Sequence, residues 1–391
     1  SGKLRHLITI IDDINGGNVH QTICSLYDIR NQLNNSLISQ LSEHYGIPYQ
    51  DIEYNEKMNL FQFVTYSLVV IMYCYDNNLI PELNQITSYV IKLIQSKEIV
   101  QQYDRLYAKI YFFYSLSAEN PLELLLLVYR RSCDSHLHQT QATIVNCILK
   151  YYISTGGYTL ALSFLKHCNF PNDASPAQLG RFHFFVGHLK AISLEYAEAQ
   201  YHLQLSLRRL PQNKYAEPFR SLVSRHLMVV MMLQGQVPSR TMLLDLPIYL
   251  DLARSILNGD VLAFQEVSQN PQFAEDGLGP LVQRLRSSVI LAGLTMISHC
   301  YSRISFSDIA NMLHIRSDED AEGFCAKAAA DGLIEATIDH DNGYLISVNN
   351  NKDETNAGFS ERINKDIQDC FGIREDTQRI MHDEADRKSV V

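Results

Sequence analysis

The sequence predicts a mainly α-helical protein: a right-handed, TPR-like solenoid of helical hairpins, followed by a winged helix and a C-terminal helix. Three observations predict this fold class. Apolar residues recur three and four positions apart along most of the chain, as on one face of a helix. A repeat signature of about 34 residues ends at Pro211. Two capped helices precede an alternating apolar and polar hairpin around Gly343.

Composition and charge limit the partners and the cellular compartment that we expect for this protein. The chain has 391 residues, 46% of them hydrophobic, and a formal net charge of −10, so we do not expect nucleic acid as a partner. Its eight cysteines are scattered without paired short spacings, which indicates reduced thiols in the cytoplasm or nucleus. The first residues lack an initiator Met and a signal-peptide pattern, which suggests a piece of a longer chain.

The first part of the chain, up to about residue 170, is expected to consist of helical repeats. Its most apolar run, from Phe63 to Tyr75, is shorter than the roughly 20 residues that cross a bilayer, so we expect a buried helix and no membrane contact. Turn-forming residues divide this part into segments of hairpin size. The breaks are at Gly46-Ile47-Pro48, Asp76-Asn77-Asn78, Asn120-Pro121 and Gly156-Gly157.

The clearest repeat runs from Gly180 to Pro211. Small residues occupy the positions where the two helices of a TPR unit approach each other closely, namely Gly187, Ala199 and Ser206. The match is partial, because Lys190 replaces the aromatic residue expected in the first helix. A second hairpin is predicted around Asn258-Gly259-Asp260, and a long helix from about Pro280 to His299.

The winged helix is predicted from residue 303 to 348. Ile304 lies in a short extended piece, Ser305 or Ser307 caps one helix, and Ser317 caps the next, which Gly332 ends. Strands are expected at 334–339 and 344–348, with positive backbone angles at Asn342-Gly343 between them. The second helix begins with carboxylates, Asp318, Glu319, Asp320 and Glu322, which argues against DNA binding through this helix.

Residues that could carry chemistry are few, and we predict no enzyme, no cofactor and no metal. Cys133, His136 and His138 form the best group of metal-ligating residues, but nothing nearby completes a zinc spacing. The basic pairs Arg130-Arg131 and Arg208-Arg209 lie among aromatic residues. Such pairs can bind an acidic peptide or RNA, or they are solvated helix ends.

Several segments resemble a known family. Tyr301-Ser302-Arg303-Ile304-Ser305 and Asp308-Ile309-Ala310 resemble the start of the PCI winged helix, which proteasome lid, COP9 signalosome and translation-initiation scaffolds share. Asp331-Gly332-Leu333-Ile334-Glu335-Ala336 and His340-Asp341-Asn342-Gly343-Tyr344 are similar to the version in the third non-ATPase lid subunits of the 26S proteasome. The resemblance covers roughly residues 180 to 348.

The resemblance implies four parts and a scaffolding function. The parts are N-terminal helical repeats at 1–170, TPR-like hairpins at 171–278, a linker helix with the winged helix at 279–349, and a C-terminal assembly helix with a tail at 350–391. It implies a non-catalytic lid subunit in the cytoplasm and nucleus. The alternatives are a COP9 signalosome scaffold and a nucleic-acid-binding PCI protein of an mRNA-export complex.

The resemblance also implies the partners and the residues that bind them. Other PCI subunits of the lid would add strands to the winged-helix sheet, for which we select Ile304, Ser305, Ile338, Tyr344 and Ile346. A helical bundle, which includes the lid deubiquitinase module, would take the apolar stripe of Phe359, Ile363, Ile367 and Phe371. That stripe could instead pack against its own domain. The small acidic disordered lid subunit is a further candidate partner.

Overall fold

The computed structural model describes residues 2–12, 19–30, 33–47, 54, 58–97, 100–244, 246–347 and 367–368. These residues divide into two compact units. The first comprises residues 1–249 and 271–283, and the second comprises 250–270 and 284–391. Helices dominate both units, and a small sheet lies in the second, so the predicted fold class is confirmed.

The first unit is built from helical hairpins. Its helices up to residue 154 are α1 (Gly2–Asp12), α2 (Val19–Arg30), α3 (Asn35–Tyr45), α4 (Leu60–Asp76), α5 (Ile80–Ser96), α6 (Asp104–Ser117), α7 (Leu122–Asp134) and α8 (His138–Ser154). A 3₁₀ turn at Gln101–Tyr103 precedes α6. Then follow α9 (Tyr158–His167), α10 (Pro176–Ile192), α11 (Tyr196–Arg209), α12 (Glu217–Leu233) and α13 (Arg240–Leu243), and later α16 (Pro271–Glu275).

The second unit contains the remaining elements. They are most of α14 (Pro247–Asn258), α15 (Val261–Ser268), most of α17 (Gly279–Cys300), α18 (Phe306–Met312) and α19 (Asp318–Ala330), with strands β1 (Arg303–Ser305), β2 (Ala336–Asp339) and β3 (Tyr344–Ser347). The predicted long helix is α17, and its bounds lie one residue outside the expected ones at each end.

Helix α4 is the centre of the first core. Every residue from Phe63 to Cys74 is buried, as expected, whereas Tyr75, the last residue of the predicted buried run, is 40% exposed. A helix that is apolar on all sides needs neighbours on all sides, and α5 and α6 are among them. The predicted breaks around residues 46, 77, 120 and 156 all fall between helices. Gly46 and Gly156 there have the positive φ that ends a helix.

Helices α10 and α11 form the predicted TPR-like hairpin. A Cβ atom on Gly187 would lie 2.9 Å from Leu203 Cγ and 3.2 Å from the carbonyl oxygen of Ala199. Ser206 Oγ donates to the Gly180 carbonyl at 2.7 Å. Small residues therefore allow this close approach, as the repeat pattern predicts.

The winged helix follows α17. Ser305 Oγ accepts a hydrogen bond from Asp308 N at 3.2 Å, and Ser317 Oγ accepts from Asp320 N at 3.1 Å, so Ser305 rather than Ser307 caps α18, and the predicted Ser317 cap is confirmed.

Gly332, which follows the end of α19, has φ of +71°. The β2–β3 turn differs from the expectation, because Gly343 has positive φ and Asn342 does not. Asn342 instead donates through its backbone and side chain to Asp339.

The strands are shorter than expected. Strand β2 begins at Ala336 rather than 334, since Ile334 and Glu335 connect α19 to the strand. Strand β3 is described to Ser347, and the expected last residue, Val348, lies outside the described residues. The sheet order is β1-β3-β2, with both pairs antiparallel.

Candidate partner-binding surface

The winged-helix sheet has β3 in its centre and β1 and β2 at its edges. Ile304 pairs with Leu345, and Leu345 pairs with Ile338 on the other side. Within the described ranges, no further strand pairs with β1 or β2. Edge strands present unpaired backbone groups that another chain can extend.

The hydrogen bonds at the ends of β1 show which of its backbone groups face outward. Ser347 N donates to the Ser302 carbonyl at 3.0 Å, and Phe306 N donates to the Gly343 carbonyl at 3.0 Å. Because bonded and non-bonded pairs alternate in an antiparallel ladder, Ile304 bonds to Leu345 between them. The backbone groups of Arg303 and Ser305 therefore point away from β3, toward the open edge.

The same alternation determines which backbone groups of β2 face outward. Since Leu345 bonds to β1, Tyr344 and Ile346 direct their backbone groups to β2, where they face Asp339 and Thr337. The backbone groups of Ala336 and Ile338 consequently point outward. Of the five sheet residues predicted to bind a partner, Ser305 and Ile338 present open backbone groups.

The other three predicted sheet residues are placed differently. Ile304 is buried, with 5% of its surface exposed, and its backbone pairs with β3. Tyr344 and Ile346 lie on the central strand, so they can meet a partner only through side chains on the outer face of the sheet. Ile346 is exposed there, and the Arg303 guanidinium carbon lies 4.1 Å from the centre of the Tyr344 ring.

The predicted set did not include Arg303 and Ala336. Arg303 has outward backbone groups and covers the ring of Tyr344. Ala336 is the first residue of the β2 edge. The period-two alternation of strands would identify both residues once the pairing register is known, but the sequence alone does not give that register.

Helix α19 presents an acidic surface. Asp318, Glu319 and Asp320 are exposed in its first turn. Glu322 Oε1 lies 2.7 Å from His340 Nδ1 in the β2–β3 turn, and this hydrogen bond raises the pKa of His340. In a DNA-binding winged helix, this helix would meet phosphates. The observed charges oppose that contact.

Other predicted positions carry no recognisable chemistry. The rings of His136 and His138 are 6.4 Å apart, and the described residues contain no group of three or more metal-ligating side chains. The described cysteines, among them Cys133, are free thiols. None of the described helices is long and apolar enough to span a membrane.

The predicted C-terminal stripe is mostly outside the described residues. Phe359, Ile363 and Phe371 are not among them. Ile367 is described as helical and is 46% exposed. The bundle-binding interpretation therefore stays a prediction.

Comparison with known proteins matches both parts of the chain. A family model for PSMD3-like N-terminal TPR repeats matches residues 55–248, and the PCI domain model matches residues 264–348. The chain combines PSMD3-like TPR repeats with a PCI domain. The resemblance seen in the sequence is thereby confirmed, and the repeat match reaches upstream of residue 180, into helices for which no individual motif was recognised.

Relatives of this PSMD3-like chain carry consistent names. The 26S proteasome non-ATPase regulatory subunit 3 of Dictyostelium discoideum is 35% identical over 333 residues, which are 80% of this chain and 65% of that protein. The probable 26S proteasome regulatory subunit rpn3 of Schizosaccharomyces pombe is 32% identical over 316 residues, 75% of this chain and 62% of the relative. The probable 26S proteasome non-ATPase regulatory subunit 3 of Drosophila melanogaster is 34% identical over 278 residues, 66% of this chain and 56% of the relative. The chain thus spans less than two thirds of these relatives.

Proposed function

We propose that this chain is a non-catalytic scaffold subunit of the regulatory-particle lid of the 26S proteasome. The relatives are named as regulatory, non-ATPase subunits of the 26S proteasome, and these names support the proposal. The single structural observation that carries it is a three-stranded sheet whose two edge strands are both open within the described residues. A sheet of this kind suits strand addition by neighbouring subunits.

The proposed contacts have distinct physical roles. Neighbouring PCI subunits would extend β1 or β2 through the outward backbone groups of Ser305 and Ile338, and such backbone pairing depends little on side-chain identity. The segment around Ile367 would enter a helical bundle with the deubiquitinase module. The small acidic disordered lid subunit is a further proposed partner. The chain would act in the cytoplasm and nucleus by positioning catalytic subunits in ubiquitin-dependent degradation.

Gentle affinity isolation tests this proposal. The full-length natural protein, carrying a C-terminal tag in its own cells, would be purified and its partners quantified by mass spectrometry. We expect proteasome lid, ATPase and core-particle subunits in stoichiometric amounts. Recovery of COP9 signalosome subunits, or of mRNA-export factors, without proteasome would overturn the lid assignment and leave the PCI fold intact.

A further inference from the structure

A cleft in the first unit lies where α11 leads into α12. Gln212, Asn213, Lys214, Glu217 and Arg220 line it, and its volume is about 680 Å³. That volume falls within the range of small-molecule sites, roughly 300–1,000 Å³. The cleft lies outside the winged helix, and its interpretation does not depend on the proposed lid function.

The cleft is locally positive in a protein of formal net charge −10. Arg208 and Arg209 are exposed in the last turn of α11, immediately before it. Together with Lys214 and Arg220, they place four basic residues against a single acidic one, Glu217, between positions 208 and 220. Such a concentration of charge attracts anions against the average field of the molecule.

Arg220 is held in place before any ligand arrives. Its Nη1 donates to the carbonyls of Leu207 and Leu210, at 3.0 and 3.1 Å, at the end of α11. These bonds fix the plane of the guanidinium, which carries five N–H donors in a rigid fork. The donors on Nε and Nη2 make no hydrogen bond to the described part of the chain, so they are free to bind an anion.

Neutral donors complete the lining. Asn213 Oδ1 accepts from Ala216 N at 2.9 Å, so the oxygen of the Asn213 amide is occupied and its NH₂ group is available as a donor. The side chains of Gln212 and Lys214 are exposed beside it. A set of amide, ammonium and guanidinium donors around an open volume matches the many acceptor oxygens of clustered phosphates.

We infer that this cleft binds a phosphate-bearing polyanion, such as a free oligophosphate, an inositol polyphosphate or the phosphorylated headgroup of a lipid. Phosphate groups offer three acceptor oxygens each and match both the fork of Arg220 and the point charge of Lys214. The ligand would lie between the end of α11 and the first turn of α12. The N-terminal end of the α12 dipole attracts an anion there, and Arg220 bonds two of the carbonyls that make the end of α11 negative.

Calorimetric titration of the whole chain with sodium tripolyphosphate and with inositol hexakisphosphate tests the inference. We expect saturable binding that weakens with added salt. Lys214→Glu should weaken it about tenfold or more, since a charge-assisted contact is lost. Glu217→Gln should tighten binding, because it removes the opposing carboxylate. The control Lys166→Glu changes an exposed lysine of α9 by the same charge and should leave binding nearly unchanged.

A flotation assay separates the sources of phosphate. Binding to vesicles of phosphatidylcholine with phosphatidylinositol bisphosphate, lost in Lys214→Glu, would assign a lipid headgroup, whereas binding only to the free phosphates would assign a soluble ligand. Equal melting temperatures of the variants would show that they are folded. Absence of binding to all phosphate probes, equal weakening by Lys214→Glu and Lys166→Glu, or equally tight binding of a glutamate-rich peptide would overturn the inference.

Discussion

The backbone of Gly259 lies against the backbone of Gly293. A Cβ atom on Gly293 would lie 3.1 Å from the Gly259 carbonyl oxygen and 2.6 Å from Leu313 Cδ2, and a Cβ atom on Gly259 would overlap the Cα of Gly293. This contact holds the turn between α14 and α15 on the long helix α17. It fixes the helical hairpin that precedes the winged helix.

Replacing Gly259 should therefore destabilise the second unit. Gly259→Ala is unfavourable for two reasons. The backbone φ of +62° is strained for alanine, and the new methyl group would overlap the backbone of Gly293. The conformational cost alone is about 1–2 kcal/mol. Gly332→Ala is the matched control in the same unit, since φ there is +71° and no atom lies within 4 Å of the added Cβ. Scanning calorimetry should show a lower melting temperature for Gly259→Ala. Equal shifts in the two variants would contradict the close contact.

The α10–α11 hairpin should respond to Gly187→Ala. Alanine favours helix by about 1 kcal/mol over glycine, yet the methyl group would press on Leu203 and on the carbonyl of Ala199. We expect a net loss of stability. Gly323→Ala in α19 is the control, because no atom lies within 4 Å there, and it should stabilise the chain by roughly 0.5–1 kcal/mol. Thermal melting followed by circular dichroism would compare them, and a stabilising Gly187→Ala would refute the tight packing.

Acid should destabilise the first unit through two buried histidines. Burial lowers the pKa of His188 to about 4, and burial together with repulsion from His188 lowers the pKa of His226 to about 3. Their rings pack 5.2 Å apart. Since the unfolded chain binds protons near pH 6.5 and the folded chain does not, stability falls as the pH drops from about 6.5 toward 4. The loss is up to about 1.4 kcal/mol per pH unit for each histidine.

Melting temperatures measured between pH 7.5 and 5 would check this dependence. The double variant His188→Leu/His226→Leu should show a shallower decline than the natural chain. His299→Gln, which changes an exposed histidine, is the control and should keep the original slope. An unchanged slope in the double variant would show that other groups cause the acid sensitivity.

Proline at outward-facing strand positions tests assembly through the sheet edges. In Ala336→Pro and Arg303→Pro, the lost N–H points away from β3, so the isolated chain should keep its sheet, as prolines on edge strands do. The double variant Arg303→Pro/Ala336→Pro should lose neighbouring lid subunits in the affinity isolation. Thr337→Pro, which removes an N–H that faces β3, should instead unfold the hairpin. If the double variant is folded and still recovers its partners in normal amounts, strand addition at these edges is excluded.

Local signals in the sequence predicted most of the winged helix. The cap at Ser317 and the turn glycine Gly343 act over a few residues, and the structure places both as expected. The central position of β3 was not predicted, because it depends on pairing between Arg303 and Ile346, more than forty positions apart. Long-range register leaves no mark in a short window of sequence.

The same limit applies to the helical hairpins. The pattern around Gly187 predicted the close helix approach, since small residues at fixed spacing are a local feature. Leu194, in contrast, adopts φ of +70° in the α10–α11 turn, and nothing in its residue type indicates that conformation. The contact between His188 and His226 joins separate helices and likewise has no sequence signature.

The order β1-β3-β2 gives the sheet two edges that differ in length and in residues. Because the edges are unlike, pairing of β1 in one copy with β2 in the next would be a heterologous contact, whereas pairing about a twofold axis would use the same edge twice. A module of this kind has two edges that can pair with neighbours, and the two edges are not equivalent. On the proposed strand addition through unlike edges, such modules would join head to tail, and the two neighbours of each member would determine its position in a row.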